Sequence, residues 1–299
     1  MPRSGPTSSK PRSRDRSFDG PPLARPRGRA SALRGLISSE AIRRQRGAEP
    51  RFLRRKGSRV NDSAASADYL FPPVLQPVVP VSGSAKLFPV HRIFCVGRNY
   101  AEHAKEMGAE VDREAPFYFM KPATAIVVSP AAIPYALATR NLHYEMELVV
   151  ALGAPAFNIP AANALEIVFG YACGLDMTRR DLQLAARAKG RPWDTGKAFE
   201  QSAIISPIVG KETFGAIGGQ TITLELNGAV KQSARLSDLV WSVPEIMAHL
   251  STLYHLGPGD LVFTGTPAGV GPVEPGDNLR GRIQGLIDLE LTIGPPEKL

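Results

Sequence analysis

A β-rich α+β fold with short helices is expected from three features of the sequence. Short apolar runs bounded by Gly, Pro and Asp recur along the chain, among them "RIFCVG" (92–97) and "YACGLD" (171–176), the pattern of buried strands. An Asn227-Gly228 dipeptide stands between alternating runs in "TITLELNGAVKQSA", the signature of a two-residue hairpin turn. Helical periodicity is confined to short stretches, and no internal repeat is present. Strands that outnumber short helices in this way predict one domain over residues 69–299.

In chain order, the prolines between Tyr69 and Pro89 require an extended, edge-like lead-in that wraps the domain. "RIFCVG" follows as a buried strand, after which Asn99 can cap a helix of one to three turns that Gly108 ends. "FYFMK" (117–121) and "AIVV" (125–128) read as strands around Pro122. "HYEMELVVAL" (143–152) reads as a strand whose two ends differ in character. "ANALEIVFG" (162–170) predicts a short helix, and "TRRDLQLAARAKG" (178–190) a helix capped by Thr178 and stopped by Gly190. "VPEIMAHLSTLYHL" (243–256) is amphipathic, with Pro244 in its first turn. The remainder is strands and glycine turns.

Charge divides the chain. Of 36 Lys+Arg, 17 fall in the first 60 residues, against 4 of the 28 Asp+Glu, so the net +8 belongs to an appendage and the body is acidic. Residues 1–68 are rich in Arg, Pro, Ser and Gly, too poor in apolar periodicity to bury a core, and are expected to be disordered. A nucleic-acid-binding arm would interleave aromatics with its arginines, and it does not. A transit peptide would share the Arg/Ser bias, but early Pro and Gly oppose an amphipathic helix. The favoured reading is an extension upstream of the true start, with Val60 an alternative initiation position. Neither a bilayer-length apolar run nor a secretory core is present. A cytoplasmic protein without membrane or nucleic-acid partners is expected, mitochondrial only if the arm is a transit peptide. Cys95 and Cys173 provide neither a disulfide framework nor metal-type spacing.

Glu145 and Glu147 are spaced i, i+2 in a strand, so both carboxylates project from one face while Met146 points the other way. Like charges this close demand a cation between them or solvent around them. An all-oxygen site suits Mg²⁺, Mn²⁺ or Ca²⁺; a solvated acidic edge is the other reading. Asp176, where a buried strand turns into a helix, is a candidate third carboxylate or a helix cap. His103 and Glu106, i and i+3 on a short helix, form either a base with its orienting carboxylate or a surface ion pair. Lys197 in "GRPWDTGKAF" could present an ammonium to a substrate oxyanion. "FTGTPAGVG" (263–271), which contains Thr266, offers backbone N–H groups to an anion but lacks the ending of a nucleotide loop.

Six ordered blocks, "GRNYAEHAKEMG", "FMKPATA", "NLHYEMELVVALG", "GYACGLDMTRRDLQ", "GRPWDTGKAFEQSA" and "PGDLVFTGTPAGVGPV", resemble the fumarylacetoacetate hydrolase family over roughly residues 69 to 294. The likeness is strongest to its fumarylpyruvate-cleaving branch in gentisate breakdown, with the acylpyruvases next. The resemblance implies a mixed β-roll, a homodimer, a divalent metal on Glu145, Glu147 and Asp176, a catalytic His103–Glu106 dyad on a lid, and Lys197 in the pocket. It implies metal-dependent hydrolysis of a C–C bond in a small 2,4-dioxo acid, fumarylpyruvate first. Tyr144 stands where relatives often have a second histidine. For the distal carboxylate of such a substrate, Arg98, Lys121, Arg179 and Arg180 are candidates, with Gln183 able to add a hydrogen bond. Acylpyruvate hydrolysis, oxaloacetate decarboxylation and isomerisation or decarboxylation of a hydroxymuconate-type diacid are the alternatives on the same carboxylates. A nucleic-acid-associated protein acting through the basic arm is the alternative outside enzymology.

Overall fold

The computed structural model of the chain describes residues 69–108, 113 and 115–297; the extension expected to be disordered, 1–68, lies outside them. Alternation along the longest buried strands sets the architecture. In Met146–Leu152, the side chains of Met146, Leu148 and Val150 enter one apolar core, while Val149 and Ala151 enter a second with Ile93, Cys95 and Phe263. Both faces are covered, which is why the run is apolar at every position after Glu147.

That strand pairs antiparallel with Val168–Asp176, and around the pair an eight-stranded mixed sheet is built. Its path runs Phe117–Lys121, Arg92–Gly97, Asp260–Phe263, Met146–Leu152, Val168–Asp176, Ala203–Ile205, Ile126–Val128, with Val209–Gly210 also paired to Val168–Asp176. In a flat sheet, strands four places apart stand about 19 Å from each other. Lys121 Nζ nevertheless lies 2.8 Å from Asp176 Oδ1. The sheet is therefore curled, with Ala151, Ala172 and Ala203 among the small residues on its inner face. This is the β-rich roll that the sequence predicts.

A five-stranded sheet, Ala229–Arg235, Thr221–Leu226, Asn278–Ile283, Leu289–Gly294 and Ala131–Pro134 in spatial order, covers the outer face through Ile222, Leu224, Leu279 and Leu291. Close approach depends on Gly281, where a Cβ would meet Met146 Sδ at 2.5 Å. The Asn227-Gly228 turn forms as expected, with φ of 52° and 79°. The helix Val243–Leu253 also forms, opened by a Ser242–Glu245 capping box and packed through Ile246, Met247 and Leu250. No helix among the described residues is long and apolar enough to cross a membrane.

Several local expectations are corrected. The strand at 143–152 is two strands, Leu142–Tyr144 and Met146–Leu152, because the first pairs with Thr178–Arg179 and Gly271–Pro272 in a separate small sheet. Glu145 is the hinge between them. Residues 162–170 are not one helix: a 3₁₀ segment, Ala161–Ile167, gives way to the strand at Val168, where β-branched side chains and pairing with Leu152 favour extension. Thr178 lies in its two-residue strand, and the helix begins at Arg180. Asn99 does not cap the helix Ala101–Glu106, whose N-cap is Tyr100; its buried amide instead bridges Trp241 and the Thr264 carbonyl. Of the lead-in, Val78–Pro80 and Leu87–Pro89 pair with each other, whereas Phe71, Val74 and Leu75 stay exposed. Prolines at 72, 73 and 77 leave too few N–H donors there for pairing.

Candidate active site

The floor of the site follows from strand register. Glu147 stands opposite Gly174 and Met146 opposite Leu175; one step further, the Asp176 N–H donates to the Glu145 carbonyl at 2.9 Å. Glu145 and Asp176 are thus cross-strand neighbours on the inner face, and Glu147 lies two positions along it. All three are buried, and one ligand oxygen from each lies within 4.8 Å of the others.

Cations are distributed unevenly over these carboxylates. Lys197, on the short helix Asp194–Lys197, donates to Glu145 Oε2 (2.8 Å), Asp176 Oδ2 (2.7 Å) and the Thr178 hydroxyl (2.7 Å). Arg180 Nη2 pairs with Glu145 Oε1. Burial alone would push the Glu145 carboxyl up, but Lys197 and Arg180 hold it well below the usual carboxylate range. For Glu147 burial pushes the same way and the charges of Asp176 and Glu145 add to it, outweighing the Gly265 N–H, at 2.7 Å, and the charge of Lys197, which support the anion. Its carboxyl is driven well above the usual range. Burial would lower the Lys197 ammonium, yet Asp176 and Glu145 raise it above its ordinary value.

Two carboxylate oxygens lack a hydrogen-bond donor among the described residues. Asp176 Oδ1 is buried without a well-formed hydrogen bond, Lys121 Nζ lying close to it but off the bonding direction. Glu147 Oε1 has no donor among the described residues, since Gly265 bonds Oε2. A buried, all-oxygen set with one uncompensated carboxylate fits a hard divalent cation, held by Glu145, Glu147 and Asp176.

Above the floor opens a pocket walled by Arg98, His103, Phe119, Gln183, Trp193 and Thr266. The helix Arg180–Ala188 presents Arg180, Gln183 and Arg187 to it, spaced i, i+3, i+7 and so on one face. Arg180 is held by Glu145, by Gln183 Oε1 (2.5 Å) and, at 3.5 Å, by His143 Nδ1, whose Nε2 lies 2.8 Å from Asn141 Oδ1. Burial, then Arg180, lowers the His143 imidazole to about 4, so it stays neutral. Thr266 Oγ1 accepts from Gln232 Nε2 at 2.8 Å, which leaves its own proton for the pocket.

The remaining wall is the helix Ala101–Glu106. His103, 6% exposed, lies with Nδ1 3.2 Å from Glu106 Oε2. Both Glu106 oxygens also lie 3.2 Å from the Gly269 N–H. Gly265 and Gly269 have φ of 99° and 95°, and the loop "FTGTPAGVG" does present backbone N–H groups to carboxyl groups, those of the chain's own Glu147 and Glu106.

Of the residues expected to meet substrate, Arg98, His103, Arg180, Gln183, Lys197 and Thr266 line this pocket. Two do not. Lys121 is buried behind the floor, donating to the Met177 and Lys197 carbonyls. Arg179 faces away from Arg180, the chain turning from strand to helix between them; it stacks on Phe199 at 4.2 Å in a separate cavity beside Tyr135, Leu142 and Glu200. Lys197 is in place, but its three ammonium protons are taken by Glu145, Asp176 and Thr178, so it organises the carboxylates and is not a free oxyanion donor. Sequence reasoning missed His143, Arg187 and Gln232. Only Arg187 left a signal, its four-residue spacing from Gln183. Gln232 lies on a hairpin strand of mostly exposed residues, yet is buried and accepts the Met146 N–H at 3.0 Å.

With this geometry in hand, comparison with known proteins is specific. Residues 92–294 match the family described as Fumarylacetoacetate (FAA) hydrolase C-terminal. The chain is 52% identical over 194 residues to the fumarylpyruvate hydrolase of Ralstonia sp, covering 64% of this chain and 100% of that protein. It is 40% identical over 205 residues to the mitochondrial oxaloacetate tautomerase of Homo sapiens, covering 69% of this chain and 92% of that one. Its fold superposes with a TM-score of 0.74 on the crystal structure of fumarylpyruvate hydrolase from Pseudomonas aeruginosa in complex with Mn²⁺ and pyruvate, at 46% identity, covering 76% of this chain and 100% of that chain.

Proposed function

We propose that this chain, which belongs to the fumarylacetoacetate hydrolase family, is a metal-dependent hydrolase of 2,4-dioxo acids whose favoured substrate is fumarylpyruvate, cleaved to fumarate and pyruvate. One observation carries the reading: a buried carboxylate triad and a carboxylate-oriented histidine face each other across one small pocket. Glu145, Glu147 and Asp176 would hold Mg²⁺ or Mn²⁺. The cation supplies Lewis-acid stabilisation of the enolate that C–C cleavage releases.

The chain's own residues account for the proton movements. Glu106 facing Nδ1 keeps the neutral imidazole proton on that nitrogen and leaves Nε2 as the base. His103 takes a proton from water, and the hydroxide adds to the C4 carbonyl. The C3–C4 bond then breaks with its electron pair going to C3, and the His103 imidazolium returns the proton there, giving pyruvate and the acyl half as its acid. The Gln183 amide and the Thr266 hydroxyl are the donors open to substrate oxygens.

Identity to a tautomerase supports a second reading, keto–enol interconversion of oxaloacetate, which needs a proton shuttle but no attacking water. The two are separated by supplying fumarylpyruvate, acetylpyruvate and oxaloacetate to the Mn²⁺-loaded protein. Fumarate and pyruvate in equal amounts, abolished by chelator, is the expected result. Oxaloacetate tautomerisation without pyruvate release from either acylpyruvate would replace the hydrolase reading with the second.

A further inference from the structure

Among the described residues, the pocket's cations fall into two sets. Arg180 and Lys197 are tied to the floor carboxylates. Arg98 and Arg187 line the same pocket at its rim and pair with no carboxylate among the described residues. Resting on the hydrolase reading above, we propose that Arg98 and Arg187 together bind a carboxylate at the far end of the substrate, making the site selective for dicarboxylic dioxo acids over neutral acylpyruvates.

The placement comes from two elements. Arg180, Gln183 and Arg187 climb one face of their helix, and seven residues at 1.5 Å per residue put Arg187 about 10 Å further along the axis than Arg180. The helix thus grades from a buried arginine at the floor, through an amide, to a half-buried arginine at the rim. A 2-keto acid anchored over the floor extends its acyl end along that gradient.

Arg98, which lines the same pocket, directly follows the Arg92–Gly97 strand with φ of 58°, a left-handed conformation that costs energy for any residue with a Cβ. Its guanidinium lies 5.9 Å from the Phe117 ring, which packs edge-on against Trp193 at 4.9 Å. The two arginines sense each other: burial first, and then the charge of Arg187, lowers Arg98 from its ordinary value. Like charges held together at a strained position are stabilised by an anion shared between them. Arg187 Nη1 also donates to the Met107 carbonyl at 2.9 Å, directly after the His103 helix, so a carboxylate captured there would help hold that helix over the substrate.

The test compares fumarylpyruvate with acetylpyruvate, which lacks the distal carboxylate. Arg187→Met and Arg98→Met should each lower kcat/KM for fumarylpyruvate roughly 10- to 100-fold, the worth of a charge-assisted hydrogen bond, and acetylpyruvate much less, under about threefold for Arg98→Met and about fivefold for Arg187→Met, which also loses its bond to the Met107 carbonyl. Arg187→Lys should recover part of the loss. Equal losses on both substrates, or none on either, would overturn the pairing. Calorimetric binding of both ligands to Mn²⁺-loaded His103→Ala, with and without Arg187→Met, separates this inference from the hydrolase reading. If wild type cleaves neither compound, yet Arg187→Met erases a binding preference for the diacid, the arginine pair stands and the hydrolase reading falls. No preference for Arg187→Met to erase sinks the pair. Melting curves identify a variant that fails to fold, for which the lysine substitution then decides.

Discussion

Glu147 and His103 face one pocket, but a sheet register holds the first and a six-residue helix the second. Glu147 sits between paired strands with both sheet faces covered, and its position is set by every ladder bond of Met146–Leu152. His103 depends on a helix too short to be stable alone, fastened by Glu106 to Gly269 and by Arg187 to Met107. The difference separates two tasks. A charge cluster must be preorganised, because unpaired carboxylates relax apart if they can. On the proposed mechanism, a base that admits and releases substrate needs attachments of a few hydrogen bonds, each worth about 1 kcal/mol, so that its helix could open as a lid.

The largest test of this contrast is Glu147→Gln. Removing the uncompensated carboxylate should weaken Mn²⁺ binding by more than roughly 100-fold, since outer-shell partners alone are worth about 10–100-fold, and turnover should fall to background while the fold persists. Calorimetry and melting temperature check both halves. Unchanged Mn²⁺ affinity would remove Glu147 from the ligands. Next, His103→Ala should lower kcat about 10²–10⁴-fold with Mn²⁺ affinity intact; weakened Mn²⁺ binding would mean that floor and lid are one unit. Glu106→Gln should cost less than His103→Ala in kcat and, by loosening the Gly269 contact, should raise KM as well. A kcat loss equal to that of His103→Ala would make Glu106 part of the proton transfer itself.

Gln232→Ala probes the floor from behind. It leaves the Met146 N–H buried without a partner and should cost about 1–3 kcal/mol of stability with a modest effect on kcat, measurable by denaturant unfolding. The smallest expected effect concerns pH. Glu147 is raised in the folded state, so in metal-free protein its contribution to stability is complete below the ordinary carboxylate range and is lost as pH rises through the raised value. Glu145, held low, contributes in the opposite sense and is lost only as pH falls through its depressed value. Mn²⁺ held there would displace the Glu147 proton, so the rise in Tm on adding Mn²⁺ should grow as pH rises above the ordinary carboxylate range toward the raised value. A rise independent of pH would show that Glu147 is already ionised without metal.

Read alone, the sequence identified the β-rich class, the Asn227-Gly228 hairpin, the shared face of Glu145 and Glu147, the His103–Glu106 spacing and the family. Each depends on strand or helix periodicity, or on short motifs, and so on neighbours within a few residues. The break at Glu145 was beyond reach, because it arises from two halves of one apolar run pairing with different sheets. The same holds for Lys121 behind Asp176, which requires the curl of a sheet across four strand places, and for Arg179 and Arg180 facing opposite cavities, which requires the turn from strand to helix at residue 180. Gln232 under Met146 and Gly269 against Glu106 join segments 86 and 163 residues apart. Such contacts are decided by register, twist and curl, which are properties of the assembled sheet and of no single stretch of chain.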